Sequence, residues 1–187
     1  ISGGLDSVAA YLTSREALHE NYQKRPLMVY LDTRVGIPLN RIYVEQLADY
    51  YDEQLWTGRT EWKFEEYLER EAAPGPGAHE DVRKGLKGRQ SSTLITRSDF
   101  PIVVQGISAD ESDHRASLPK VNEKRRHWEV SPVHRLTLRE RAAIVIESGC
   151  PINPLWCFPE IFTDCGCGTN GDPSEFDRVQ ELFPVFA

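Results

Sequence analysis

Ser2-Gly3-Gly4-Leu5-Asp6-Ser7 stands at the start of the chain, and its reading decides the fold. Two adjacent glycines let the backbone turn tightly and bring N–H groups close to an anion. Val8 to Leu18 follows as an expected helix, with Val8, Tyr11, Leu12 and Leu18 on its apolar side. A glycine loop feeding a helix N-terminus is a phosphate cradle, because loop amides and the positive helix end face the same point. The Ser2 and Ser7 hydroxyls can add hydrogen bonds. Asp6 would repel a phosphate if left bare, so its expected work is shaping the loop or holding Mg²⁺. The spacing is neither G-x-x-x-x-G-K-[ST] nor G-x-G-x-x-G. A serine-glycine turn that merely caps a helix is the plainer alternative, and the rest of the chain has to decide.

The bulk numbers narrow the field. With 187 residues, 40% hydrophobic and 27% charged, the chain suits one domain with a sizeable core. A formal net charge of −7 argues against a surface given over to nucleic acid, while leaving room for a local basic patch. No signal peptide and no long apolar run is evident, so a cytoplasmic protein without a membrane partner is expected. A phosphate loop of this kind should follow a buried strand, yet only Ile1 precedes Ser2. The expectation is that the sequence starts inside a longer protein and that its first strand precedes Ile1.

Further along, Leu27 to Leu31 is a continuous apolar run, the pattern of a strand buried on both faces, and it ends at Asp32-Thr33. Polar residues at a strand's C-terminal edge lie where open α/β sheets keep their ligands. Pro38 starts a second helix to about Asp52, with Ile42, Val44, Leu47 and Tyr51 as its expected apolar side. Glu53 to Thr57 is a weaker strand and Trp62 to Glu71 a charged helix. Residues 72–78, rich in alanine, proline and glycine, read as a loop over the active face. His79 to Gln90 is expected to be helical. Ile102 to Gly106 is a second buried strand, and Trp128 to Val130 a short third. Thr137 with Glu140 forms a capping-box pattern for a helix to about Ser148, and 173–182 would be a final amphipathic helix. Strands alternating with helices imply a doubly wound, mostly parallel sheet with helices on both faces.

In order, these landmarks resemble one branch of the PP-loop ATP pyrophosphatase (adenine nucleotide alpha hydrolase-like) superfamily. The S-G-G-L-D-S loop is similar to the PP-loop itself. Pro74-Gly75-Pro76-Gly77-Ala78-His79 with Leu86-Lys87-Gly88-Arg89, the Gly106–Arg115 segment, Ser131-Pro132-Val133 and Asn153-Pro154-Leu155-Trp156 resemble the PAPS reductase-like proteins, PAPS being 3′-phosphoadenosine 5′-phosphosulfate. The resemblance implies an adenine nucleotide lying across the strand ends. Ser2, Gly3, Gly4, Asp6 and Ser7 would hold its phosphate, and Asp32, Thr33 and Gly106 would sit beside it. Lys87, Glu111 and Arg115 would face the phosphates or the second substrate, with Asp6 among the catalytic groups. Glu111 and Arg115, four apart, also fit a simple exposed ion pair. Ser108 stands where the family usually has an arginine, Leu5 where many reductases have lysine. The stretch Phe183-Pro184-Val185-Phe186-Ala187 holds no cysteine like the tail cysteine with which sulfonucleotide reductases attack sulfur, so Cys165 or Cys167 would take that role or the sequence is cut short.

All four cysteines, Cys150, Cys157, Cys165 and Cys167, fall in one stretch spaced C-x6-C-x7-C-x-C. Four thiolates suit Zn²⁺ or an iron–sulfur cluster; a Cys165/Cys167 redox pair and inert thiols are the alternatives. Lys120 to His127 is the one concentrated run of positive charge, either a gate for an anionic second substrate or a solvated loop. The reading taken forward is a nucleotide-binding domain over 1–149 with a cysteine-bearing extension over 150–187. It would cleave the α–β bond of ATP with Mg²⁺, adenylylate an acceptor and release pyrophosphate, in sulfur-transfer chemistry. The acceptor stays open between a nucleic acid and a sulfur carrier protein, and a homodimer is compatible. The alternatives are a thiol-dependent reductase of PAPS or adenylyl sulfate, and a non-catalytic nucleotide-binding subunit of a larger complex.

Overall fold

The computed structural model describes residues 1–60, 64–71, 79–97, 100–158 and 181. Helix α1 (Leu5–Tyr22) leads into strand β1 (Met28–Asp32), helix α2 (Pro38–Tyr50) and strand β2 (Leu55–Arg59). Helices α3 (Phe64–Glu71) and α4 (His79–Arg83) follow, and a π-helical turn over Lys84–Gly88 carries the chain into α5 (Arg89–Arg97). Next come β3 (Ile102–Val104), a 3₁₀ turn (Ala109–Glu111), α6 (Asp113–Ala116), β4 (Val121–Glu123) and β5 (Trp128–Val130). Helix α7 (Leu138–Glu147) and a 3₁₀ turn (Pro154–Cys157) complete the described elements.

β1 and β2 pair in parallel, from Met28 opposite Leu55 to Asp32 opposite Arg59. β3 pairs in parallel with β5, and β4 closes onto β5 antiparallel. This is the expected α/β class. Its core forms where α1 lies against α7 and α2 covers β1. Val8, Ala9, Val44 and Leu47 are wholly buried there, with Met28, Tyr43, Val133 and Val145 around them. Ile1 joins the same body, its backbone nitrogen donating to the carbonyl of Val29 on β1. No helix among the described residues is long and apolar enough to cross a membrane.

Several local expectations need correction. Helix α1 runs on to Tyr22 and stops where Gln23 takes a left-handed φ of 52°, its N–H returning to the His19 carbonyl. The buried side of α2 is Asn40, Tyr43, Val44, Leu47 and Ala48, while Ile42 is 46% exposed. One residue on a helix turns the side chain by about 100°, enough to move Ile42 off the stripe that Tyr43 and Val44 define. The helix expected over His79 to Gln90 is broken by the π-helical turn and resumes to Arg97. β3 is not buried on both faces: Ile102 is 53% and Val104 39% exposed. The basic run is a hairpin, with Val121–Glu123 as a strand and 124–127 as its turn. The break at 72–78 and, apart from Glu181, the helix expected over 173–182 lie outside the described residues.

The start of α7 is capped as its sequence pattern implies. The Thr137 hydroxyl accepts from the Glu140 N–H, and the Glu140 carboxylate accepts from the Thr137 N–H at 2.7 Å. Thr137→Ala removes one half of this box and should cost about 1 kcal/mol of stability. Urea denaturation would show it as a lower midpoint at unchanged slope.

Candidate functional site

The loop at residues 2–7 is held from three directions. Gly3 has a φ of +84°, and a Cβ there would collide with the Asn40 side chain. Asn40, from the first turn of α2, donates its side-chain amide to the Ser2 carbonyl. Asn153 donates to the Gly3 carbonyl and to Asn40 Oδ1, each at 2.9 Å, while its own Oδ1 accepts the Leu155 N–H at 3.0 Å. The Trp156 indole N–H reaches the Gly3 carbonyl at 3.1 Å. Within the loop, the Ser7 hydroxyl oxygen accepts the Ser2 N–H at 2.7 Å. Gly106, at the end of β3, lies flat against the opposite side, where a Cβ would stand 2.5 Å from both Ser7 Cα and Ser7 N. Gly106 is thus a packing position, where only a bare backbone fits. The N–H groups of Leu5 and Asp6, at the open end of α1, have no partner among the described residues. They are the donors an anion would meet.

Asp6 leans on a buried arginine. Arg141, on the inner face of α7, places Nε 2.7 Å from Asp6 Oδ1 as an ion pair without the alignment of a hydrogen bond. Its Nη2 donates to both Asp110 oxygens, at 2.9 and 3.2 Å. Its Nη1 donates to Ser108 Oγ and to the Leu136 carbonyl, each at 2.5 Å. Ser108 is wholly buried and donates its own hydroxyl to Asp110 Oδ1. Burial pushes the Asp6 carboxyl above its ordinary range, against the pull of Arg141, and the Asp110 charge adds to the push. The Ser108 hydroxyl, then Arg141, holds Asp110 below that range. The two act oppositely with pH. Asp110 contributes stability that is present above its unfolded value and lost as pH falls through its lowered folded value. Asp6 loses stability as pH rises through its raised one. Asp6 is thus tied through Oδ1 into the network beneath the loop.

The remaining expected residues divide. Asp32 ends β1 with Oδ1 accepting the Arg34 N–H at 2.9 Å and Oδ2 3.3 Å from Arg59 Nε and 3.6 Å from Arg41. Thr33 beside it is buried. Lys87 rides on the π-helical turn, which is tied to this strand end: Thr60 donates its N–H to the Asp32 carbonyl and its hydroxyl to Gly85. Glu111 and Arg115 pair with each other, both well exposed, so the simple ion pair is what forms. Arg115 is nonetheless close enough for its charge to act on Asp6. Cys150 is buried in the core, its Sγ 3.9 Å from the Val145 carbonyl, whereas Cys157 is exposed. Cys165 and Cys167 lie outside the described residues. Among the described residues no group of three or more His, Cys, Asp or Glu could hold a metal ion. In the basic hairpin, Lys124 and His127 approach Glu129 at 3.4 and 3.6 Å, and Arg125 and Arg126 are exposed at the turn.

Asn40 and Arg141 were not foreseen from the sequence. Each is a polar residue on the apolar stripe of its helix: Asn40 lies three and four before Tyr43 and Val44, and Arg141 three and four before Ile144 and Val145. That misplacement is the signal that could have found them, because a buried polar side chain needs a partner.

Residues 1–172 match the family model described as "Phosphoadenosine phosphosulfate reductase domain". Among solved structures, the chain is similar to the crystal structure of phosphoadenylyl-sulfate (PAPS) reductase from Candida auris, a phosphate complex. The TM-score is 0.66 at 16% identity, over 90% of this chain and 80% of that one. No curated protein sequence matches.

Asn153→Ala should strand Asn40 Oδ1 and the Leu155 N–H in a buried site and leave the Gly3 carbonyl to Trp156 alone, costing about 2 kcal/mol. Trp156→Phe removes only one donor and should cost about 1 kcal/mol. Denaturant midpoints of the two variants would rank them, and phosphate titration should weaken in the same order.

Proposed function

The chain belongs to the phosphoadenosine phosphosulfate reductase domain family, and from that premise we propose that it is an enzyme acting on an adenine sulfonucleotide. The nucleotide's anionic end would rest on loop 2–7. The observation that carries this reading is the set of open amides at the N-terminus of α1, on a loop locked by Asn40, Asn153 and Trp156. The similar Candida auris reductase was solved as a phosphate complex, which supports an anion-binding role for this fold. Asp32 and Thr33, at the end of β1, would line the nucleotide. Lys87 and Arg115 would bring positive charge to the leaving phosphate.

A reductase of this class needs a thiol. The thiolate would attack the sulfuryl sulfur, forming an S–S bond as the S–O bond to the nucleotide breaks. The nucleotide phosphate would leave with the electron pair, and the cysteine would keep the sulfonate. A second thiol would then release sulfite, leaving a disulfide. Cys150 is too deeply buried to take the first part. Cys157 is exposed and directly follows Trp156, the loop's indole donor. Cys165 and Cys167 are the other thiols open to the role.

Cleavage of ATP between its α and β phosphates, with adenylyl transfer to an acceptor, is the second reading. Leu5 in the loop and Ser108 in place of an arginine favour it, since the chain departs from the reductase pattern at both. Calorimetric titration with PAPS and, separately, with Mg-ATP separates the two. PAPS bound at least tenfold more tightly, with sulfite released under added thiol, is the expected result. Preference for ATP with pyrophosphate release would replace it with the second reading. Under the first reading, Cys157→Ser should lower sulfite release while leaving PAPS affinity unchanged. Full activity in that variant would pass the role to Cys165 or Cys167.

A further inference from the structure

We propose that Arg141 is a positioning residue that makes an acid-bearing loop receptive to polyanions, by cancelling the charge of Asp6 from beneath. The proposal rests on the reading of loop 2–7 as a phosphate site. Asp6 lies in the first turn of α1, beside the amides that would meet the anion, and a bare carboxylate there would oppose what those amides attract. The structure answers with a guanidinium whose side chain is only 4% exposed, 2.7 Å from Asp6 Oδ1. The same guanidinium donates to Ser108 Oγ at 2.5 Å. Ser108 is the position at which the resembling proteins usually carry an arginine of their own. Here a cation arrives from α7 and is met by the buried Ser108 hydroxyl.

The arrangement places Arg141 under the loop and leaves it no freedom to reach over it. Its Nη donors are committed to Asp110, Ser108 and the Leu136 carbonyl, and its Nε is paired by charge with Asp6. It therefore acts on a bound anion through Asp6. The charged groups that bear on Asp6 are Arg141 from α7, Asp110 from the 3₁₀ turn at Ala109–Glu111 and Arg115 from α6, the last shared with Glu111. Removing Arg141 leaves two neighbouring carboxylates with that shared arginine as the one cation bearing on Asp6 among the described residues. Repulsion and burial then both favour proton uptake by Asp6.

The test is calorimetric titration of the purified chain with inorganic phosphate and with ATP, across pH. Arg141→Gln should weaken both by roughly 10- to 100-fold near neutral pH, and the loss should shrink as pH falls and Asp6 takes up a proton. Asp6→Asn combined with Arg141→Gln should restore affinity to within about threefold of the parent, because the loop is neutral again. Arg141→Lys should rescue in part. A purely structural role for Arg141 would give a loss that neither pH nor the second substitution repairs, and that result overturns the proposal. Should Arg141→Gln fail to fold, Asp6→Asn alone carries the test. It leaves Arg141 facing only Asp110, and phosphate should bind more tightly; weaker binding overturns the proposal. A parent protein that binds neither phosphate nor ATP overturns the loop reading and this proposal together. Parent binding that Arg141→Gln leaves unchanged overturns this proposal alone.

Discussion

The carbonyl oxygen of Gly3 is the atom on which the rest of this structure depends. It belongs to a residue with positive φ, points inward, and is met by Asn153 at 2.9 Å and Trp156 at 3.1 Å. Turning that carbonyl inward turns the neighbouring amides outward. The donors that face an anion and the acceptor that faces the core are two sides of one backbone geometry. Asn40 completes it: one side chain joins the Ser2 carbonyl to Asn153 and fills the space that a Cβ on residue 3 would need. A change at any of these positions therefore acts on the same backbone turn.

Parts of this could be read from the sequence because their causes are local. The S-G-G-x-D-S loop, the apolar run ending at Asp32-Thr33, and the Thr137/Glu140 cap each depend on residues a few positions apart. The order of the landmarks resembles the family that the chain belongs to. Asn153 and Trp156 were legible as a family landmark, yet their work of holding Gly3 was not, since their partner lies at the other end of the described chain. Asn40 and Arg141 were hidden for a related reason. A polar residue on an apolar stripe announces a partner without saying which.

The misread strands show the same boundary from another side. Ile102, Val103 and Val104 have the composition of a buried strand, but burial depends on what covers the sheet, and Ile102 remains half exposed. Val121-Asn122-Glu123 carries almost no strand signal of its own. It is a strand because β5 offers it an edge, with Val121 opposite Val130 and Glu123 opposite Trp128. The π-helical turn over Lys84–Gly88 likewise has no pattern in sequence that separates it from the helices on either side.

The bond from Asn153 to Gly3 closes a separation of 150 residues. Closing so long a loop costs more entropy than closing a short one, which favours its forming late as the chain folds. During synthesis the loop emerges before its clasp, and it stays unclasped until the Asn153–Trp156 segment has been made. A ligand that recognises only the clasped loop then stabilises the entire closed chain by mass action. Occupancy of this site would thus report that two segments far apart in sequence have been brought together.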